Sequence, residues 1–223
     1  MTDPKTRLIE AALSHVGFDG WSDVTLKMAA EECDIPLAEA EALFPRGAID
    51  LALGYHHWGD DRMVAAMDAA HLGEMRYRDR VAFAIRKRLE LADKEAVRRG
   101  STLFSLPQNA GDGAKAIWGT ADRIWTALGD SSDDVNWYTK RMTLSAVYSA
   151  VALFWLGDES DGYQDTWDFL DRRIDNVMQF EKTKAKLREN PLVKSFMAGP
   201  GRILDNISAP GKGQGGFPGQ WNK

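Results

Sequence analysis

Apolar residues recur three and four positions apart along nearly the whole chain, and no run of alternating β-branched residues interrupts them. That spacing gathers them on one stripe of an α-helix and gives a strand no face to bury. The pattern therefore restricts the chain to the all-α class. The first stripe is Leu8, Ile9, Ala12, Leu13 and Val16, ended by the segment Gly17 to Gly20. Ser22 or Asp23 suits the cap of a second helix carrying Leu26, Ala29 and Ala30, and Ile35-Pro36 breaks it. Pro36 suits the first turn of a third, short helix that ends near Phe44, before the turn Pro45-Arg46-Gly47. Beyond it the spacing predicts helices over about 48–71, 77–98, 101–106, 115–128, 134–156 and 161–184. The segment DSSDD, residues 130–134, reads as a loop with several possible caps.

The totals narrow the function classes. With 223 residues, 44% apolar and 27% charged, the chain can build one sizeable core or a small head on a larger body. Its single cysteine, Cys33, excludes an intramolecular disulfide and any CxxC site. The N-terminus lacks the cationic and apolar pattern of a secretory signal. The longest uncharged run, Met142 to Gly157, falls short of the roughly 20 residues that span a bilayer. These features predict a cytoplasmic protein. None of His15, His56, His57 and His71 lies in an HExxH or ExxH motif, so neither a metal nor another cofactor is expected. GKGQGG, residues 211–216, follows no strand and matches no phosphate loop, and no nucleophile sits in a recognisable catalytic setting. The reading is non-catalytic.

The segment DIPLAEAEALFPRG, residues 34–47, stands where a helix-turn-helix protein places its DNA-reading helix, yet it holds Glu39 and Glu41 and no cation before Arg46. Over residues 1–50 four cations face ten anions. Duplex affinity comes largely from neutralising phosphates with Lys and Arg, so no nucleic acid is expected as a partner. The other end is basic. Lys182, Lys184, Lys186, Arg188 and Lys194 precede or join an apolar stripe of Leu192, Val193, Phe196, Met197, Ile203, Leu204 and Ile207. Such a stripe suits an interfacial helix on a membrane, or one folded back over the protein. Gly199-Pro200-Gly201 interrupts it, and the last fifteen residues are rich in Gly and Pro.

The first fifty residues resemble the head of TetR-type regulators. The carrying pattern is Gly20-Trp21, Thr25, Met28-Ala29-Ala30, Ile35 and Phe44-Pro45 before a long connecting helix. A second segment, residues 134–178, resembles the coenzyme Q biosynthesis accessory family, the rpsU-divergently transcribed type. It does so through Asn136-Trp137-Tyr138-Thr139 with Arg141, Asp165-Thr166-Trp167, Phe169-Leu170 and Arg173. Leu106-Pro107-Gln108-Asn109 adds a weaker match. The two agree, because that family has a TetR-like fold without acting as a regulator. The resemblance implies a degenerate helix-turn-helix head over 1–47 and a lipid-binding, dimerising helical body over 48–184. An amphipathic C-terminal helix over 185–208 and a disordered tail over 209–223 follow.

It also implies a homodimer on the inner face of the cytoplasmic membrane that binds an isoprenoid quinone or phospholipid. The protein would present its lipid to the di-iron demethoxyubiquinone hydroxylase. A ligand-responsive TetR-type regulator is the alternative. For the lipid, an apolar cavity suffices. Leu103, Phe104, Leu106, Ile117, Trp118, Met142, Val147, Val151 and Phe154 are its candidates, or else they fill an ordinary core. For the hydroxylase, the family pattern points to Tyr138, Arg141, Asp165, Trp167 and Arg173. Tyr163, Trp167, Leu170, Ile174 and Val177 also form a stripe that by spacing alone is core or dimer contact. The membrane contacts would be Leu192, Phe196, Met197, Ile203, Leu204 and Ile207.

Overall fold

The computed structural model describes residues 3–189 and Ala209, with the side chains of Met178 and of residues 180–189 left aside. The membrane stripe from Leu192 to Ile207 and the tail beyond Ala209 lie outside the described residues. Within them the chain forms nine α-helices and no strand. They are α1 (Pro4–Asp19), α2 (Asp23–Glu32), α3 (Leu37–Leu43), α4 (Ala48–Ala69), α5 (Tyr77–Glu90), α6 (Lys94–Ser105), α7 (Ala110–Ala127), α8 (Val135–Gly157) and α9 (Gln164–Glu189). The chain divides into two compact units. The first takes residues 1–74 and 83–120, and the second takes 75–82 and the described residues from 121 onward.

In the first unit the head is built as its stripes require. Leu8, Ile9, Ala12 and Val16 of α1 meet Leu26, Ala29 and Ala30 of α2, with Phe44, Leu51, Ala52 and Tyr55 closing the cluster. Each large apolar side chain so buried contributes about 1.5–3 kcal/mol. The Ser22 hydroxyl caps α2 by accepting from the Thr25 amide at 3.2 Å, so Ser22 rather than Asp23 is the cap. Pro36 precedes the first residue of α3 rather than opening its first turn. Gly47 has φ +55°, and a Cβ there would lie 2.2 Å from a carboxylate oxygen of Asp23. Only glycine lets the chain turn so tightly into α4.

The helix expected over 77–98 is two helices, α5 and α6. Asp93 separates them, because its carboxylate accepts from the Ala96 amide at 2.7 Å and starts a new helix. The break expected between 98 and 101 is absent, and Gly100 sits inside α6. There α6 lies against Trp21, whose indole donates to the Ala96 carbonyl at 2.9 Å. The helix expected over 115–128 begins earlier, at Ala110. Likewise α9 runs without a break past residue 184, to Glu189.

The first unit also buries a charged pair. The Arg88 Nε donates to Asp60 at 2.6 Å, and the two side chains are 2% and 0% exposed. Arg88 Nη2 donates to the His56 carbonyl at 3.0 Å, and the Thr120 hydroxyl donates to Asp60 at 3.0 Å. A Cβ on residue 59 would lie 2.7 Å from the guanidinium, so Gly59 is what lets Arg88 enter. With its proton committed to Asp60, Thr120 accepts from His56 Nε2, 2.8 Å away. Burial holds the His56 imidazole neutral, pushing its pKa down to about 4.

Candidate functional site

The second unit holds a cavity of about 210 Å³ among the first turn of α5, the end of α7, α8 and α9. Val81, Leu144, Val147, Ile174 and Val177 supply aliphatic walls, and Tyr77 and Trp125 supply two rings whose centroids are 5.7 Å apart. Arg78, Asn136, Thr139, Lys140 and Thr143 complete the lining. Burial, and behind it the Asp130 carboxylate, raises the Tyr77 phenol above its ordinary pKa. The hydroxyl therefore stays protonated and is available as a donor.

Local sequence sets this geometry. Gly129, at φ +77°, ends α7 with the Asp130 amide bonded back to the Trp125 carbonyl at 3.0 Å. The turn delivers Asp130 under α8. Lys140 Nζ meets its carboxylate at 2.7 Å and Arg141 Nη1 at 3.0 Å, and Arg141 Nε holds Asp122 at 2.6 Å. Burial alone would raise the Asp130 pKa, but hydrogen bonds from Lys140, Ser132 and Arg141 hold it at about 2. Lys140 also lies 5.3 Å above the Trp125 ring. On the far side Arg78 is held by Asp171 at 3.3 Å and Asp175 at 3.0 Å. The cations of the lining are thus neutralised in place, and the cavity offers an apolar interior with polar edges. Among the described residues no three of His, Cys, Asp and Glu converge as metal ligands would. No helix among them is long and apolar enough to cross a membrane.

Of the residues expected around a lipid, only Val147 lines this cavity. Val151 is fully buried further along α8, while Met142 and Phe154 are 57% and 39% exposed. Leu103 and Phe104 pack on the core of the first unit, Leu106 is exposed and Trp118 is half-buried. These eight are divided between the two units, four in the first and four in the second. The uncharged run of α8 is apolar on every side, so its period names no face. Ile174 and Val177 were visible as a stripe, but not as a wall; Tyr77, Val81 and Trp125 carried no signal of their own.

The residues expected to face a partner are placed differently from one another. Arg141 is 3% exposed and clamped between two aspartates, and its guanidinium lies 3.9 Å from the Trp137 ring. It is an internal residue of this unit. Trp167 is 5% exposed, and its indole donates to the Gly162 carbonyl at 2.8 Å, which ties α9 to the turn before it. Of its stripe, Trp167, Leu170 and Ile174 are buried in the single chain, and Tyr163 and Val177 are half-buried. Asp165 is exposed, whereas Tyr138 and Arg173 are half-buried. Arg173 stands 5.0 Å from the Phe169 ring, which stacks on Phe154 at 4.6 Å.

Residues 110–181 match the family model named COQ9. A probable ubiquinone biosynthesis protein coq9, mitochondrial, of Dictyostelium discoideum is 29% identical over 83% of this chain and 63% of its own. The ubiquinone biosynthesis protein COQ9, mitochondrial, of Drosophila melanogaster is 28% identical over 79% and 56%. Its human counterpart is 27% identical over 91% and 66%. The chain therefore spans about three fifths of the length of these curated relatives. A crystal structure of a TetR transcriptional regulator from Nitrosomonas europaea matches 79% of this chain and 99% of its own with a TM-score of 0.64, at 17% identity. The all-α fold is TetR-like, and the resemblance to the coenzyme Q biosynthesis family is carried by the COQ9 match over residues 110–181 and by these relatives.

Proposed function

We propose that this protein is a lipid-binding accessory factor of ubiquinone biosynthesis. In this reading it takes one end of an isoprenoid quinone intermediate into the α5–α7–α8–α9 cavity and presents it to the di-iron demethoxyubiquinone hydroxylase. The observation that carries the reading is an aliphatic and aromatic cavity walled mostly by residues of the segment that matches the COQ9 family model, with Tyr77, Arg78 and Val81 completing it from outside that segment. At about 30 Å³ for each water-sized group, 210 Å³ takes roughly seven such groups. That suits a ring or a short stretch of isoprene, with the rest of the tail leaving through the mouth. A tail passing from bilayer to protein exchanges one apolar medium for another, so the transfer is close to neutral and shape decides it. Tyr77, protonated at the cavity edge, would donate to a ring carbonyl.

The exposed face of α8, with Met142, Ala146, Leu153 and Phe154, suits contact with a second copy. Asp165 and the Arg173–Phe169 pair are the accessible part of the surface offered to the hydroxylase. Trp167 would support that surface from beneath. The basic C-terminal segment would hold the protein at the inner face of the membrane. A ligand-responsive regulator is the second reading, and the likeness to the Nitrosomonas protein favours it. The exposed Glu39 and Glu41 on α3 oppose it.

Organic extraction of gently purified protein, followed by mass spectrometry, tests the proposal. The expected result is an isoprenoid quinone or precursor in near-equimolar amount. An empty extract, together with no uptake from quinone-loaded vesicles, would overturn it.

A further inference from the structure

We propose that the cavity of the second unit holds the oxygen-bearing ring of its lipid and leaves the isoprenoid tail to the mouth, with the hydroxyls of Thr143 and Tyr77 reading the ring oxygens. This rests on the lipid-binding reading above and fixes which end of the lipid goes in. On α8 the lining consists of Asn136, Thr139, Lys140 and Thr143, then Leu144 and Val147. Their spacing of three or one places all six on one face of the helix, polar over its first two turns and apolar beyond. Two of the polar side chains are already engaged. Thr139 donates to the Asn136 carbonyl at 3.3 Å, and Lys140 meets Asp130 at 2.7 Å. The hydroxyls of Thr143 and Tyr77 have no hydrogen-bond partner among the described residues. The Trp125 N–H is buried without an acceptor as well. The Tyr77 and Trp125 rings, 5.7 Å apart and tilted by 32°, add two flat faces to the lining.

These features choose between the two ends of the lipid. An isoprene tail has neither donor nor acceptor. Packed against Thr143 and Tyr77, it strips water from two hydroxyls and returns no hydrogen bond, at a loss of about tenfold in affinity for each. A ring carbonyl or methoxy oxygen accepts from those hydroxyls instead, and the planar ring can lie against Tyr77 and Trp125. A site built to hydrogen-bond its ligand rejects an analogue that lacks the matching group. Thr143 and Tyr77 are thus specificity-determining residues, and Leu144, Val147, Ile174 and Val177 supply the apolar contact that any lipid would use.

The test is the partition of two probes between phosphatidylcholine vesicles and the full chain. The ring probe is a methoxy-substituted benzoquinone with a single isoprene unit. The tail probe is an isoprenoid hydrocarbon of similar size without oxygen. Both start in an apolar medium, so hydrophobic transfer favours neither. The ring probe is expected to partition to the protein about tenfold or more in excess of the tail probe. Thr143→Val keeps the branched shape and removes the hydroxyl. It should weaken uptake of the ring probe about three- to tenfold and leave the tail probe unchanged. Thr143→Ser keeps the hydroxyl and should retain the ring affinity, and Tyr77→Phe should repeat the pattern of Thr143→Val. Urea midpoints check that each variant is folded, and Tyr77→Phe carries the test if Thr143→Val is not. Uptake of neither probe overturns the lipid-binding reading and this inference with it. Equal uptake of the two probes, or equal losses of both in Thr143→Val and Tyr77→Phe, overturns the inference and leaves the lipid-binding reading standing.

Discussion

Each unit buries an arginine against aspartate, and the two arrangements differ in how far water is excluded. In the first, Arg88 and Asp60 are almost wholly enclosed, and a glycine makes the space for them. In the second, Arg141 and the Asp130 it meets are as deeply buried, but the outer members of the cluster are wet: Asp122 on Arg141 is 40% exposed and Lys140 on Asp130 is 38% exposed. A dry pair must recover the desolvation of both charges from direct hydrogen bonds. A partly wet cluster can let water replace a lost partner, and it can shift when something enters beside it. The enclosed pair is scaffold; the open cluster borders the cavity.

Breaking the enclosed pair is the largest effect expected. Arg88→Met leaves Asp60 charged and unpaired in a dry site and should destabilise the fold by about 3–5 kcal/mol in urea unfolding. Arg141→Met should lower stability by only about 1–3 kcal/mol, because Asp122 can rehydrate and Lys140 still pairs the buried Asp130. Equal losses would mean that the second cluster is as closed as the first, and the contrast would fail.

Acid separates the two in a second way. The folded His56 pKa, about 4, lies below its ordinary 6.5, so folding favours the neutral ring. Its stabilising contribution is complete above about pH 6.5 and is lost as pH falls to 4, where the unfolded chain takes up a proton that the fold refuses. The folded Asp130 pKa, about 2, lies below its ordinary 3.8. Its contribution holds above about pH 4 and is lost as pH falls toward 2. Thermal unfolding against pH should therefore show two windows, the upper amounting to at most about 3 kcal/mol. His56→Gln should flatten the upper window and spare the lower, and a profile unchanged by the substitution would remove His56 from the account. Asp60, Arg88 and His57 surround that ring and modulate the slope.

The helical architecture could be read from the chain because its stripes are clean. Of the first stripe, Leu8, Ile9, Ala12 and Val16 are buried and Leu13 is half-buried, and α8 begins and ends within one residue of its expected bounds. The division of 77–98 could not be read, because Asp93 is acceptable on a helix surface and becomes a stop only by capping Ala96. The cavity was the least legible feature. Its walls come from four helices far apart in sequence, and two of its rings, Tyr77 and Trp125, meet only through the fold. Arg141 and Trp167 were prominent as residues of a family pattern, but such a pattern does not separate a surface from the frame behind it. Here both are frame.

Filling the cavity is the smallest change in stability and the sharpest in function. Val147 is 8% exposed and forms part of the wall, and an aromatic ring placed there would project into about 210 Å³ of space. Because the space exists, Val147→Phe should change stability by less than about 1.5 kcal/mol in either direction. The same ring would occupy volume that the proposed ligand needs, so the lipid recovered per mole of protein should fall severalfold. Leu106→Phe, on an exposed residue of the first unit, should leave the lipid content unchanged. The pair of variants separates occupancy from folding. If Val147→Phe keeps its urea midpoint and its lipid, the cavity does not hold the ligand. If both fall together, the wall is supporting structure, and the contrast between a closed scaffold and an open, receptive cluster must be redrawn.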